Sequence, residues 1–263
     1  MNDTFLDKIL TVKREKVKRL KTTTDIVALK DRAFAIRQNA EKHRLKTALS
    51  RTDRTNIIAE IKRTSPSKGV INDQIDVAAT AKKYRDGGAA AISVLTEEDF
   101  FKGSLDDLIE VRNTVDLPIL RKDFVFDEFQ VYESAAVGAD VMLLIVAALE
   151  ETPLADLYHL ITHDLGMDAI VEVHTLYELE TAARIGAKVV GVNNRNLQTL
   201  EVSLDFSREL ISFRPPGALM IAESGISTRE EIAELKALRF DGFLIGETLM
   251  RSGNPDEVIK EWL

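Results

Sequence analysis

From Asn56 onward the chain alternates short apolar runs with longer amphipathic stretches, and the runs are Ile57–Ile61, Ala90–Leu95, Leu117–Leu120, Val141–Ile145, Ala169–Val173, Val189–Val192, Leu219–Ala222 and Gly242–Ile245. Runs this short read as strands buried on both faces, the form that parallel strands take when helices cover them. Their starts lie 20 to 33 residues apart, which leaves room for one helix between successive strands. Glycine falls near the end of several predicted helices, at Gly87-Gly88, Gly138 and Gly186, where a left-handed residue ends a helix cheaply. A doubly wound open sheet shares this alternation. Eight runs and a helical last segment, Pro255–Leu263, fit closure into a (β/α)8 TIM barrel of the α/β class better.

Residues 1–55 stand outside the alternation. Phe5, Leu6, Ile9, Leu10, Val17 and Leu20 mark one amphipathic helix, and Asp25 to about Leu49 predicts further helix. The expectation is an N-terminal helical extension, 1–55, packed on a catalytic barrel, 56–263, as one structural domain. The basic stretch Lys13 to Lys21 reads as a solvated helix face.

Composition narrows the function. With 263 residues, 45% hydrophobic and 30% charged, the chain can bury a large core. It contains no Cys, which excludes disulfides, thiolate nucleophiles and Cys-based zinc sites. A net charge of −8 opposes nucleic-acid binding, and no run is long enough to span a membrane. The charged opening Met1-Asn2-Asp3-Thr4 lacks an apolar signal core and favours a cytoplasmic protein. His159 and His163 have helical spacing but no HExxH pattern, so they read as a surface feature, and no metal is expected.

In a barrel of this kind the reacting groups sit at the C-terminal ends of the strands. Glu60 and Lys62 end the first strand on one face, Lys122 ends the third, Glu172 lies in the fifth, Asn193 ends the sixth and Glu223 follows the seventh. Two lysines and three glutamates in one mouth are acid–base equipment, since charges are costly to bury for stability alone. Ser65-Pro66-Ser67-Lys68-Gly69 after the first strand, Glu223-Ser224-Gly225-Ile226 after the seventh and Ile245-Gly246-Glu247-Thr248 after the eighth suggest a phosphate grip.

Ile58-Ala59-Glu60-Ile61-Lys62 leading into Ser65-Pro66-Ser67-Lys68-Gly69, then Ser93-Val94-Leu95-Thr96-Glu97 with Phe100-Phe101-Lys102-Gly103-Ser104, resembles the signature region of indole-3-glycerol phosphate synthases. Arg121-Lys122-Asp123-Phe124, Val171-Glu172-Val173-His174, Gly191-Val192-Asn193-Asn194-Arg195-Asn196-Leu197, Ala222-Glu223-Ser224-Gly225-Ile226 and Leu244-Ile245-Gly246-Glu247 continue the likeness in order along nearly the whole chain. Phe129 stands where the family often has Tyr, and Val77 follows Asp76 where Pro is common; neither lies in a catalytic motif.

The resemblance implies a carboxy-lyase of tryptophan biosynthesis. It would convert 1-(2-carboxyphenylamino)-1-deoxyribulose 5-phosphate to indole-3-glycerol phosphate, releasing carbon dioxide and water. It further implies Lys122 as general acid at the ribulose carbonyl, with burial lowering its pKa and Glu60 opposing that. Lys62 would pair with the substrate carboxylate, Glu172 would act in the dehydration, and Glu60 would assist proton transfer. Asn193 and Glu223 would orient hydroxyls. Phe101, Phe124 and Leu197 would form an apolar slot, and Ser65, Ser224, Gly225, Gly246 and Glu247 would hold the phosphate. Arg195 and Leu244 complete the predicted substrate contacts. No cofactor is implied, because the substrate's ring is itself the nucleophile. The chain ends soon after the eighth unit, so the expectation is a monofunctional protein, with room for transient association with other tryptophan-pathway enzymes. Two rival readings are a related phosphate-binding barrel such as phosphoribosylanthranilate isomerase, which typically uses a Cys base that this chain lacks, and a non-enzymatic metabolite-binding barrel.

Overall fold

Within each apolar run, side chains alternate between the barrel interior and the layer under the helices. Ile58, Leu120, Ile170, Ile221 and Leu244 pack inward in one cluster, while their neighbours Ile57, Ala59, Ile119, Val171, Ala222 and Ile245 pack outward in a second. The strands are thus apolar on both faces. The computed structural model describes residues 4–65, 69–197 and 199–263. Met1, Asn2 and Asp3 of the charged opening, and Pro66, Ser67 and Lys68 of the first predicted phosphate loop, lie outside the described residues.

Among the described residues eight parallel strands close into a barrel: β1 (Ile57–Ile61), β2 (Ala91–Leu95), β3 (Ile119–Lys122), β4 (Val141–Ile145), β5 (Asp168–Val173), β6 (Val189–Asn193), β7 (Leu219–Glu223) and β8 (Gly242–Ile245). Each pairs with the next, and β8 returns to β1. Three strands run further than hydrophobicity predicts. Lys122, Asn193 and Glu223 are strand residues, held in register by Leu95↔Lys122 and Asn193↔Glu223. Backbone pairing carries the ladder past the point where the side chains turn polar. The third strand also starts late, at Ile119, because Pro118 before it has no N–H to give the ladder.

Among the described residues three helices precede the barrel, α1 (Phe5–Thr23), α2 (Ile26–Gln38) and α3 (Arg44–Leu49). Thr4 and Asp7 form a capping box that starts α1, and Asp25 caps α2 through Val27 and Ala28. The predicted helix from Asp25 to Leu49 is broken where His43 adopts a φ of 52°. The basic stretch of α1 is a correction to its sequence reading. Lys13 is buried, with its Nζ 2.6 Å from Asp123 Oδ1, Lys16 pairs with Glu98, and Lys21 lies 2.9 Å from Asp127. One side of α1 is therefore pinned to acidic residues around the barrel mouth rather than left to solvent.

The remaining helices follow the strands: α4 (Val77–Gly87), α5 (Leu105–Thr114), α6 (Glu128–Ala136), α7 (Glu151–His159), α8 (Leu176–Arg184), α9 (Asp205–Leu210), α10 (Arg229–Ala237), α11 (Glu247–Arg251) and α12 (Pro255–Trp262). No helix among the described residues is long and apolar enough to cross a membrane.

Candidate active site

The period of two that fills the barrel also places its charges. Ile58, Leu120, Ile170 and Ile221 point inward, so Glu60, Lys122, Glu172 and Glu223, two positions further on, point inward one layer higher, at the C-terminal mouth. Room for these side chains comes from two glycines. A Cβ at Gly191 would collide with the Glu223 carboxylate, and one at Gly246 with that of Glu60.

Glu60 lies between two lysines, its Oε1 2.7 Å from Lys62 Nζ and its Oε2 3.3 Å from Lys122 Nζ. Burial opposes the charge on Glu60, yet the two ammonium groups hold its carboxyl down at about 2. Lys122 reaches Glu223 Oε2 as well, at 3.1 Å. Burial lowers the pKa of Lys122 and Glu60 opposes it, as expected, but the expected net lowering is not found: with Glu223 and Glu172 added, the carboxylates outweigh burial and the pKa is raised. Lys122 is a fixed ammonium aimed at the cavity. Glu223 is pushed up to about 7 by burial, with Lys122 pulling down and Glu172 adding repulsion. Its Oε1 meets no hydrogen-bond partner among the described residues.

Above this floor opens a cavity of about 740 Å³. Glu60, Lys62, Lys122, Glu172 and Asn193 line it, together with Ser65, Phe101, Phe124, Arg195, Leu197, Ser224, Gly225, Leu244, Gly246 and Glu247. Glu223 alone of the predicted site residues is absent from the lining; it sits fully buried beneath Lys122. Phe101 and Phe124 tilt toward each other with ring centroids 6.3 Å apart. Across the cavity, Ser224 and Gly225 have φ of 65° and 81°, a left-handed pair that turns the loop after β7 toward the opening. Asn194 braces that turn by donating to the carbonyls of Glu223 and Ser224 at 3.0 and 3.2 Å. Asn193 Oδ1 accepts from the Arg195 N–H at 3.0 Å. The Glu247 carboxylate pairs with Arg251 Nε at 3.1 Å, beside the cavity that both residues line.

Sequence reasoning missed Phe5 and Leu6, which line the cavity from the first turn of α1. Phe5 meets Phe100 edge-on, ring centroids 5.6 Å apart. Their apolar stripe was legible, but nothing in a lone helix pattern says which end of the barrel it covers. Among the described residues no group of three or more His, Asp and Glu side chains is arranged to hold a metal ion.

A closed (β/α)8 barrel with lysines and glutamates converging on one cavity at its C-terminal mouth defines the class: a TIM-barrel enzyme with acid–base groups at the strand ends. Within that class the chain belongs to the indole-3-glycerol phosphate synthase family, whose sequence model matches residues 6–262. It is 48% identical over 256 residues to an indole-3-glycerol phosphate synthase of Exiguobacterium sibiricum, covering 97% of this chain and 95% of that one. It is 42% identical over 264 residues to one of Carboxydothermus hydrogenoformans, covering 97% and 98%. Among solved structures, 3-hexulose-6-phosphate synthase of Salmonella typhimurium superposes with a TM-score of 0.63 over 79% of this chain and 96% of that one. At 13% identity that likeness speaks to the barrel alone. The isomerase and non-enzymatic readings are set aside by the family match.

Proposed function

We propose that the cavity binds 1-(2-carboxyphenylamino)-1-deoxyribulose 5-phosphate and closes its ring to indole-3-glycerol phosphate, the carboxy-lyase step of tryptophan biosynthesis. One observation carries the assignment of roles: Lys122, held by Glu60 and Glu223, points its ammonium into a cavity that has an aromatic slot on one side and a backbone-lined turn on the other.

Phe101, Phe124 and Leu197 hold the anthranilate ring, and the backbone of Ser224, Gly225, Gly246 and Glu247 takes the phosphate with Ser65 and Arg195 beside it. Leu244 closes the floor. This stretches the substrate so that its ring carbon faces the ribulose carbonyl over Lys122. As the new carbon–carbon bond forms, the carbonyl oxygen becomes an alkoxide, and Lys122 donates to it. Its raised pKa is no obstacle, because an alkoxide is more basic than an amine. Lys62 pairs with the substrate carboxylate until the carbon–carboxylate bond breaks and carbon dioxide leaves. The ring then regains aromaticity. Asn193 orients the hydroxyls, Glu223 fixes Lys122 from beneath, Glu60 keeps both lysines placed, and Glu172 serves the dehydration. On this reading the enzyme acts on a free metabolite in the cytoplasm.

The test is incubation of the purified protein with that substrate while indole fluorescence and released carbon dioxide are followed together. Fluorescence rising in step with carbon dioxide, one for one, supports the proposal. Binding without turnover would refute it.

A further inference from the structure

The proton balance of the overall reaction is not closed by Lys122 alone. The substrate carboxylate departs as neutral carbon dioxide. The ring-closure oxygen takes one proton, the hydroxyl leaves as water with a second, and the neighbouring methylene gives one up. Each turnover therefore draws one proton from solvent. Lys122 donates the first and, left neutral, can take the methylene proton back. Glu172, acting on the departing hydroxyl, has to be reloaded. Yet Glu172 is 2% exposed, so it has no broad contact with water.

Immediately after β5, His174 stands behind Glu172, outside the cavity lining. Its Nε2 lies 3.4 Å from Glu172 Oε1 and is buried, with no hydrogen-bond partner formed among the described residues. On the other side of the ring Nδ1 lies 3.2 Å from Glu178 Oε2, and the backbone N–H of His174 donates to the same oxygen at 2.7 Å. Glu178 is itself fixed in the first turn of α8, where its backbone N–H donates to the capping hydroxyl of Thr175. A carboxylate on Nδ1 settles that nitrogen as the N–H and leaves Nε2 as the one that exchanges a proton.

We propose that His174, oriented by Glu178, positions Glu172 and reloads it with a proton in every turnover. The inference rests on the role given to Glu172 above. The imidazolium Nε2–H passes to a Glu172 oxygen after that group has protonated the leaving hydroxyl. The ring is left neutral with Nδ1–H still held by Glu178, and it regains its proton from water once the products depart. Three carboxylates face the imidazole: Glu172 from β5, Glu178 from α8 and Glu223 from β7. Burial disfavours the imidazolium, but these carboxylates prevail and its pKa is raised, which favours the donor form.

Three variants test this: His174→Gln, Glu178→Gln and Glu172→Gln. In His174→Gln we expect kcat to fall by about tenfold or more while KM stays within about twofold, since the residue touches no substrate. The limb of the kcat–pH profile on which wild-type activity declines as the imidazolium is lost should disappear. A Glu178→Gln enzyme should keep that limb but show it at lower pH. An unchanged pH profile and kcat in His174→Gln, with Glu172→Gln inactive, overturns the relay and leaves the role of Glu172 standing. Full activity in Glu172→Gln overturns both. Should His174→Gln fail to fold, the His174 titration followed by NMR decides: its pKa should fall in both Glu172→Gln and Glu178→Gln, and an unmoved pKa in Glu172→Gln refutes the coupling.

Discussion

The two ends of this barrel both bury carboxylates, and they treat them in opposite ways. At the N-terminal face Asp140 is engaged through both oxygens by Arg37 at 3.4 Å, Arg44 at 3.2 Å, Arg112 at 3.1 Å and the Ile119 N–H at 3.1 Å. Asp168 likewise receives the N–H groups of Leu45 and Lys46 at 2.8 and 3.1 Å, with His43 3.3 Å away. At the mouth, Glu223 has one oxygen on Lys122 and the other on nothing among the described residues, and Lys122 faces an open cavity. The lower carboxylates hold α2 and α3 to the strand starts and are saturated by doing so. Of the upper ones, Glu60 is paired through both oxygens but only with lysines that line the cavity, and Glu223 is left incompletely satisfied among the described residues. Buried charge marks a reactive site where its partners are missing or mobile, and a structural joint where they are complete.

Substitutions at the two ends should therefore separate stability from turnover. The largest effect is expected at the base: Asp140→Ala leaves the buried Arg37 guanidinium without its carboxylate and should cost about 3–5 kcal/mol of stability. Chemical denaturation measures this, and the kcat of the protein that remains folded should stay within about twofold of wild type. Next is Gly191→Ala, whose methyl group would strike Glu223. Overpacking of this kind costs about 1–3 kcal/mol, and here the displaced Glu223 should also release Lys122, so Tm and kcat fall together. A smaller effect is expected at Gly225, where φ is 81° and an added Cβ would press on Val202. Gly225→Val should raise KM and weaken competition by inorganic phosphate with little change in kcat; an unchanged KM in the folded variant would move the phosphate site elsewhere.

The smallest effect is a slope. Glu223 binds its proton more tightly folded, at about 7, than unfolded, near the ordinary 4.5. The folded state thus holds the extra proton between those values, and this group's contribution to stability declines as pH rises through that window. Glu60 acts with the opposite sign: with its carboxyl at about 2, its contribution is present above 4.5 and is lost as pH falls toward 2. Tm against pH should lose the decline between 4.5 and 7 in Glu223→Gln and keep it in a Glu60 variant.

Much of the mouth was readable because β-strand periodicity is rigid: a charged residue two places after an inward isoleucine or leucine has only one place to point. Glu60, Lys122, Glu172 and Glu223 follow that rule. What depends on contacts between distant segments was not readable. Lys13 looked like one more surface cation of α1 until Asp123, remote in sequence, stood opposite it. For Lys122 the sequence set burial against Glu60 and gathered Glu172 and Glu223 in the same mouth, but did not show the distances that let the carboxylates outweigh burial. Phe5 and Leu6 gave no sign of reaching the cavity, since helix periodicity fixes a face and not a docking partner.

The central claim is that the incompletely satisfied end is the reacting end, with Lys122 as the proton donor, and Lys122→Ala measured for kcat, KM and Tm tests it most directly. Removing the ammonium leaves Glu60 with Lys62, and Glu223, already pushed up to about 7, can take a proton. The fold should therefore lose less stability than in Asp140→Ala. At saturating substrate kcat should drop by about 10² to 10⁴ with KM changed far less, whereas Lys62→Ala should raise KM more visibly through loss of the carboxylate partner. Near-normal kcat in Lys122→Ala, with turnover abolished in Lys62→Ala, would contradict the assignment and exchange the two lysines.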